Sequence, residues 1–122
     1  MVVIAIIAIL AAVAIPMYSN YTTRAKLGAQ LTKLGGAKTN ANDYITNNAG
    51  NTDYISSDIP NLPFGAAVND GVTNGRIDLD TSSIVSGSEL RLTPLVSSGT
   101  ITWTCNINGV NSTQAPANCS VV

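Results

Sequence analysis

Three hydrophobic patterns follow one another along this chain, and each predicts a different structure. Residues 1–15 carry neither charged nor polar side chains, which predicts a helix that is apolar on every side. From Pro16 to about residue 49, apolar residues recur every three or four positions, which predicts an amphipathic continuation of that helix. From residue 75 onward apolar and polar residues alternate, which predicts β-strands with one covered face.

The amphipathic helix has a weak point and a clear end. Gly35 and Gly36 each cost about 1 kcal/mol relative to alanine in a helix interior, so either packing holds the helix there or it breaks near Gly35. Residues 47–50, with the sequence NNAG, tolerate the left-handed backbone of a helix C-terminus. We therefore expect the helix to end at about residue 49.

A connecting loop is predicted over residues 50–74, because proline, glycine, asparagine and aspartate are frequent there. Its apolar residues are expected to pin it to the rest of the protein: Tyr54, Ile59, Leu62 and Phe64. Three alternating segments, 75–81, 89–93 and 100–105, then predict antiparallel strands. Pro94 predicts that the second strand lies at a sheet edge or ends early.

The predicted fold class is therefore α+β. A long N-terminal helix packs its second half on a small antiparallel sheet of three to four strands. Residues 1–25 form a protruding hydrophobic half of the helix, and residues 26–122 form a globular head. The head contains the amphipathic helix, the connecting loop 50–74 and, within 75–122, the sheet and a C-terminal loop.

The two cysteines, Cys105 and Cys119, bound that C-terminal loop. The chain has no histidine, so neither a histidine-activated thiol nor a Cys/His zinc site can be built from it. A disulfide is the interpretation we adopt, and it places the C-terminal part in an oxidising compartment.

The sequence offers little catalytic chemistry. No histidine is present for a triad, and residues 35–38 lack the spacing of a phosphate-binding loop. Asp78 and Asp80 share a strand face, where they could serve as acid and base or bind calcium. No further oxygen ligands are clustered with them in sequence, so solvated charges are the favoured interpretation. We predict no enzyme, metal site or cofactor.

The net charge of −1 hides an asymmetry. Residues 1–42 carry four basic and no acidic residues, whereas residues 43–122 carry seven acidic and two basic ones. The two sections are either separate solvated faces, or the basic section of one copy meets the acidic section of another. The stretch between the cysteines has no cation, so direct nucleic-acid binding by the head is not expected.

The apolar run is interpreted either as part of a membrane helix that is cut off at its front or as a cleavable secretory signal. Fifteen residues span roughly 22 Å, which is short of the ~30 Å hydrocarbon core of a membrane. A secretory signal is the rival, with residues 12–14, AVA, as its cleavage site. Arg24 and Lys26 lie on the same side of the run as the cysteines, against the positive-inside rule. A basic leader upstream would resolve that conflict, so we expect the sequence to be processed or truncated.

The N-terminal segment resembles that of bacterial type IVa major pilins, in which an apolar run is followed by proline and a Tyr-x-x-Tyr-Thr-x-Arg-Ala pattern. The matching residues over about 25 positions are Tyr18, Tyr21, Thr22, Arg24 and Ala25. The WTC of residues 103–105, with the closing Cys119, also resembles the disulfide-bounded region of that family. The family's methylated N-terminal phenylalanine, and its glutamate two positions upstream of Met1, correspond to no residue of this chain.

The resemblance implies a structural subunit that is anchored in the bacterial inner membrane by its helix before assembly. Assembly machinery would then draw it into a homopolymeric helical filament, an extracellular type IV pilus that serves surface attachment, motility or DNA uptake. The helices would bundle in the filament core, for which the expected packing residues are Val2, Val3, Ile4, Ile6, Ile7, Ile9, Leu10, Val13 and Ile15. Pro16 is the expected helix break, with the backbone of residues 11–15 extended in the filament and merely kinked in the monomer.

The uncharged stretch between the cysteines is a candidate for contact with surfaces or glycans. The candidate residues are Asn106, Asn108, Asn111, Ser112, Thr113 and Gln114. The competing interpretation is that this stretch merely holds the C-terminus in place. Two other functions stay open: a minor pilin or type II secretion pseudopilin, and a secreted carbohydrate-binding module whose residues 1–14 are a signal peptide.

Overall fold

A computed structural model describes residues 1–69 and 75–122. Its architecture is α+β, a long N-terminal helix and a five-stranded sheet, and it confirms the predicted fold class. The helical elements are α1 (Val2–Lys33), α2 (Gly35–Asn47) and a 3₁₀ turn (Ser56–Asp58). The strands are β1 (Ala66–Val68), β2 (Ile77–Asp80), β3 (Glu89–Ser97), β4 (Thr100–Asn108) and β5 (Cys119–Val121).

The junction between α1 and α2 is a single tightened turn at Leu34. The Leu34 backbone stays helical, with φ −74° and ψ −9°, and its N–H is shared between the carbonyls of Gln30 and Leu31 at 3.3 and 3.1 Å. The Lys38 N–H reaches the Leu34 carbonyl at 2.9 Å, so the helical bonding resumes at once. The Leu34 side chain is fully buried. Packing therefore holds one nearly continuous helix across the glycines.

The helix ends as the sequence predicts. Ala49 and Gly50 both adopt left-handed backbone, with φ 56° and 85°. The Gly50 N–H donates to the Ile45 carbonyl at 2.8 Å, the bond that closes a left-handed C-terminal cap. This cap turns the chain out of the helix and into the connecting segment.

The sheet differs from the prediction in strand number and in one direction. Its order is β1-β2-β3-β4-β5, with antiparallel pairs between the first four strands and a parallel pair between β4 and β5. β1 lies inside the predicted connecting loop, of which residues 70–74 are outside the described part of the chain. Both β1 and β5 are three residues long, too short for an alternating pattern to be recognised.

The prediction for Pro94 is wrong for the strand as a whole. β3 lies in the middle of the sheet and continues to Ser97. β2 pairs with β3 over residues 89–92, so Pro94 lies beyond the last of those pairs and opposite Trp103 of β4. In that part β3 has β4 as its neighbour and no longer pairs with β2, and a strand with one paired side tolerates proline.

The core lies between the second half of the helix and one face of the sheet. The helix contributes its buried residues at three-, four- and seven-residue steps, and the strands contribute alternate residues, as both patterns predict. The buried residues include Leu27, Leu34, Ala37, Ala41 and Ile45 of the helix and Ile77, Leu79, Leu90, Leu92 and Ile107 of the strands.

Trp103 joins the helix to the sheet by a polar contact. Its indole N–H donates to Asn42 Oδ1 at 2.8 Å, and Lys38 Nζ lies 5.9 Å from the ring centroid. We expect Trp103→Phe to lower the free energy of unfolding by at least about 1 kcal/mol, because the hydrogen bond is lost and the phenyl ring is smaller than the indole. Urea unfolding of the head measures this, with Thr104→Val on the exposed side of the same strand as control. Equal stability of Trp103→Phe and wild type would contradict the contact.

Candidate functional site

The N-terminal half of α1 presents an extensive exposed apolar surface. Every residue from 1 to 19 is exposed, and the nine predicted filament-core side chains are between 52 % and 72 % exposed. The helix Val2–Asn47 is long and apolar enough to cross a membrane by length and composition, and its most apolar window is entirely unburied. A helix of a soluble core passes the same test of length and composition, but its apolar window is buried rather than exposed.

This exposure surrounds the helix on all sides. Consecutive residues such as Val2, Val3 and Ile4 point in different directions around a helix, yet their exposed fractions are 72 %, 67 % and 72 %. The first buried residue of the chain is Leu27, where the head begins to cover the helix. Residues 1–15 therefore need apolar surroundings in every direction, which the head of the same molecule does not provide.

Beyond Pro16 the helix carries hydroxyl groups that bond to its own backbone. Thr22 Oγ1 donates to the Ser19 carbonyl at 2.8 Å, and Thr23 Oγ1 donates to the same carbonyl at 3.0 Å. Such hydroxyls can be covered by apolar neighbours at little cost, because their donors are already satisfied. In the single chain α1 continues through Pro16. The break predicted for the filament stays a prediction.

The C-terminal loop is closed by the predicted disulfide between Cys105 and Cys119, whose Cα atoms are 4.6 Å apart. The prediction is wrong in placing Asn106 and Asn108 in the loop, because both lie in β4. The alternation of β4 continues further than residue 105, and asparagine on its outer face weakened the strand signal. The Asn108 Oδ1 atom is buried without a hydrogen-bond partner among the described residues.

The other four candidate loop residues form one turn. The Gln114 N–H donates to the Asn111 carbonyl at 2.9 Å, and the Asn111 N–H donates to Gln114 Oε1 at 3.1 Å. Ser112 and Thr113 are exposed at the tip of this turn. Arg24 Nη2 of α1 lies 3.5 Å from the Ser112 carbonyl oxygen, so the tip leans against the helix. No pattern in the sequence predicts this contact, because the two residues are 88 positions apart.

The two aspartates of β2 lie on the outer face of the sheet. The Asp78 carboxylate accepts two hydrogen bonds from Arg76, at 2.7 and 2.8 Å, and one from Asn69 Nδ2 at 2.8 Å. These hydrogen bonds to Asp78 raise the pKa of Arg76. Hydrogen bonds from the Ser82 side chain and backbone hold the pKa of Asp80 below its usual value. Asp78 is thus occupied by its neighbours, and no group of three metal-ligating side chains lies together in residues 1–69 and 75–122.

The connecting segment is pinned as predicted at Tyr54, Ile59 and Leu62, but not at Phe64. Tyr54 is 2 % exposed, and its hydroxyl donates to the Gly75 carbonyl at 2.5 Å. Burial raises the pKa of the Tyr54 phenol. Phe64 is instead fully exposed, at 104 % of its reference area. Apolar character alone did not distinguish Phe64 from the buried residues, because the local turn sets the direction in which its side chain points.

The exposed apolar helix joined to a disulfide-closed α+β head matches a known family. The family model of the pilins, which form bacterial filaments, covers residues 23–120. This chain belongs to the pilin family. The fimbrial protein EcpC of Eikenella corrodens is 31 % identical over 130 residues, an alignment that covers 98 % of this pilin and 84 % of that protein. The alignment therefore includes nearly all of the exposed apolar segment.

Family membership explains the surface that the fold leaves uncovered. Pilins are structural proteins that polymerise into an extracellular filament. An apolar helix segment exposed on all sides is suited to that use, because other copies can cover it. The same segment is consistent with anchoring in a membrane before assembly.

Proposed function

We propose that this pilin is the major structural subunit of a type IVa pilus. It is held in the bacterial inner membrane by residues 1–25 before assembly, and those residues bundle in the core of the filament afterwards. The observation that carries the proposal is the exposure of all nine apolar core candidates around the whole helix. The protein acts in attachment, motility or DNA uptake as a building element, not as an enzyme.

The apolar segment can be stable both in the membrane before assembly and in the filament core afterwards. Removing apolar surface from water is worth about 25 cal/mol per Å², and both lipid chains and neighbouring helices remove it. The transfer from membrane to filament is therefore nearly balanced in free energy, and assembly machinery supplies the work of extraction. The second half of the helix cannot join the bundle, since its apolar face already packs on the sheet of its own head.

The rival functions have less support. A signal peptide ending at Ala14 would cut α1, yet α1 continues without interruption from Val2 to Lys33 and leads directly into the core of the head. A minor pilin or a pseudopilin shares the fold, and the disulfide favours a pilin over a pseudopilin, because the pseudopilins that resemble it usually lack one. The exposed Asn111 and Ser112 are the proposed contacts of the loop tip with surfaces or glycans.

Filament composition tests the proposal. Sheared surface filaments are imaged by negative stain, and their subunits are quantified by mass spectrometry. A major pilin is the dominant chain of these filaments. A chain present at a few copies per filament would instead be a minor pilin, and a small monodisperse particle without filaments would reject the pilus subunit.

A filament map tests the role of Pro16. Proline lacks the N–H that would bond to the Ala12 carbonyl, and its ring presses on that carbonyl. We expect the backbone of residues 11–15 to be extended in the filament, with a longer rise per residue than the ~1.5 Å of an α-helix. Pro16→Ala should restore a continuous helix.

The upstream limit of that extension depends on Ala8. Alanine favours the helix by about 1 kcal/mol over glycine, so Ala8→Gly should move the start of the extended segment toward the N-terminus. Unbroken helical hydrogen bonding from Ala8 through Met17 in a wild-type filament would contradict the prediction.

A further inference from the structure

Phe64 is displayed by a rigid turn. The Ala66 N–H donates to the Pro63 carbonyl at 3.0 Å, and Gly65 has φ +84°, which places Phe64 at the first corner of a type II turn. The Asp80 N–H donates to the Gly65 carbonyl at 3.1 Å, so the turn is fixed to β2. A fully exposed phenylalanine on such a turn is an apolar projection whose position is set before it meets a partner.

An exposed carboxylate lies beside this projection. Asp80 accepts a hydrogen bond from the Ser82 N–H at 2.9 Å and forms no salt bridge within the described residues. Asp80 and Phe64 line the same open cleft of about 310 Å³, which Gln30 and Lys33 of α1 also line. Together, Phe64 and Asp80 form what we call the Phe64 projection, an apolar ring beside a carboxylate, and Lys33 places a cation in the same cleft.

A complementary hollow lies elsewhere on the molecule. Met17, Asn20, Tyr21 and Arg24 of α1 and Thr113 of the C-terminal loop surround a cavity of about 180 Å³, which we call the helix–loop pocket. This volume is below the ~300–1,000 Å³ of typical small-molecule sites, so it suits a single side chain. Arg24 forms no salt bridge to any residue in 1–69 or 75–122. The pocket thus combines apolar walls with one available positive charge.

We propose that the Phe64 projection of one subunit enters the helix–loop pocket of the next, with Asp80 facing Arg24. The proposal rests on the proposed function, because it needs a filament of identical subunits. Projection and pocket are different surfaces of one molecule, so the contact is head-to-tail, and such a contact generates a filament when the rotation between neighbours does not close a ring. It also pairs the positively charged Arg24, from the basic section 1–42, with the negatively charged Asp80, from the acidic section 43–122.

The contact fixes how neighbours are displaced. The cleft beside Phe64 lies at Gln30 and Lys33, and the pocket lies between Met17 and Arg24, about ten residues earlier along α1. At ~1.5 Å per residue, parallel subunits in contact are shifted by roughly 15 Å along the helix axis. A second apolar hollow, near Thr46, Val96 and Ile101, contains no charged side chain and serves as the control surface.

Cross-linking in assembled filaments tests the contact without removing the projection. Ser83→Cys lies in the cleft beside Phe64 and Thr113→Cys lies in the helix–loop pocket. In the double variant, a short bis-maleimide should produce a ladder of covalent dimers, trimers and longer chains, because each subunit carries both halves of the contact. The matched double variant Ser83→Cys with Thr46→Cys should stay monomeric on a denaturing gel.

The results of the cross-linking experiment support or overturn the contact between the Phe64 projection and the helix–loop pocket. A ladder from the first pair alone supports the contact. Filaments of the first pair that give no ladder, or a ladder from the control pair, overturn it while leaving the pilus subunit intact. The absence of filaments from the wild-type chain would reject the proposed function, and this inference with it.

Charge reversal provides a second readout. Arg24→Asp and Asp80→Arg should each lower filament yield about tenfold, since like charges then face each other, and the double variant should recover it. Lys26→Asp makes the same charge change on an exposed neighbour of Arg24 and should not be rescued by Asp80→Arg. Failure of the double variant to exceed either single variant would overturn the pairing of Asp80 with Arg24.

Discussion

Filaments should not form when Ile6 is replaced by aspartate. Ile6 is 52 % exposed in the single chain, so the head should fold normally in this variant. In the proposed bundle the same position is surrounded by apolar side chains of other subunits. An unpaired carboxylate buried there costs several kcal/mol, which lowers the assembly constant roughly a hundredfold or more at each contact. Filament yield after shearing, normalised to total subunit in the cell, measures the effect.

Ile55→Asp is the matched control. Ile55 lies on the head and is 49 % exposed, nearly the same fraction as Ile6, and the chemical change is identical. The two variants therefore differ in what covers the position after assembly, not in what the single chain shows. Normal filaments from both would mean that residues 1–25 do not form the core. Equal loss from both would point to a general effect of the added charge.

The helix and the core were predictable because their signals are local and periodic. Leu27, Leu34 and Ala41 recur at seven-residue steps, and Ile77 and Leu79 alternate with aspartate, so the buried face of each element can be read directly. The left-handed C-terminus at Ala49 and Gly50 was also predictable, since its residue types are specific for that backbone. These elements make up the long helix and the central strands.

The parts that were not predictable depend on contacts distant in sequence. β5 runs parallel to β4 with Cys119 opposite Cys105, and its three residues carry no direction signal of their own. Pro94 is tolerated because the β2 pairing stops at residue 92, which the sequence of β3 does not reveal. Phe64 points outward because of the turn that Gly65 closes.

The candidate site divides in the same way. The apolar core residues and the disulfide follow from hydropathy and cysteine count, whereas the helix–loop pocket forms where Arg24 meets the tip of a loop 88 positions later. Composition indicated that opposite charges separate along the chain. It could not indicate that Asp80 lies beside an exposed phenylalanine, since that depends on the hydrogen bond between Asp80 and Gly65.

The second large effect is expected on removing the disulfide. Cys105→Ala with Cys119→Ala opens a loop whose ends are 14 positions apart. In the chain-entropy account this lowers the free energy of unfolding by ~3 kcal/mol, which corresponds to about 10 °C in melting temperature for a domain of this size. Thermal unfolding of the double variant, followed by circular dichroism, measures the loss. Replacing both cysteines avoids a free thiol that would form new disulfides.

Reduction of the wild-type chain is the control for this prediction. Intact-mass analysis should show a gain of two hydrogen atoms on reduction. The reduced protein should have the same melting temperature as the double variant. The C-terminal loop is where the loss acts, because the disulfide sets β5 beside β4 and closes the loop whose tip leans on Arg24. The opened loop should therefore leave the helix–loop pocket incomplete, and filaments of the double variant should shear into shorter pieces than wild type. A double variant as stable as the oxidised wild type would show that β5 and the loop are held by their other contacts.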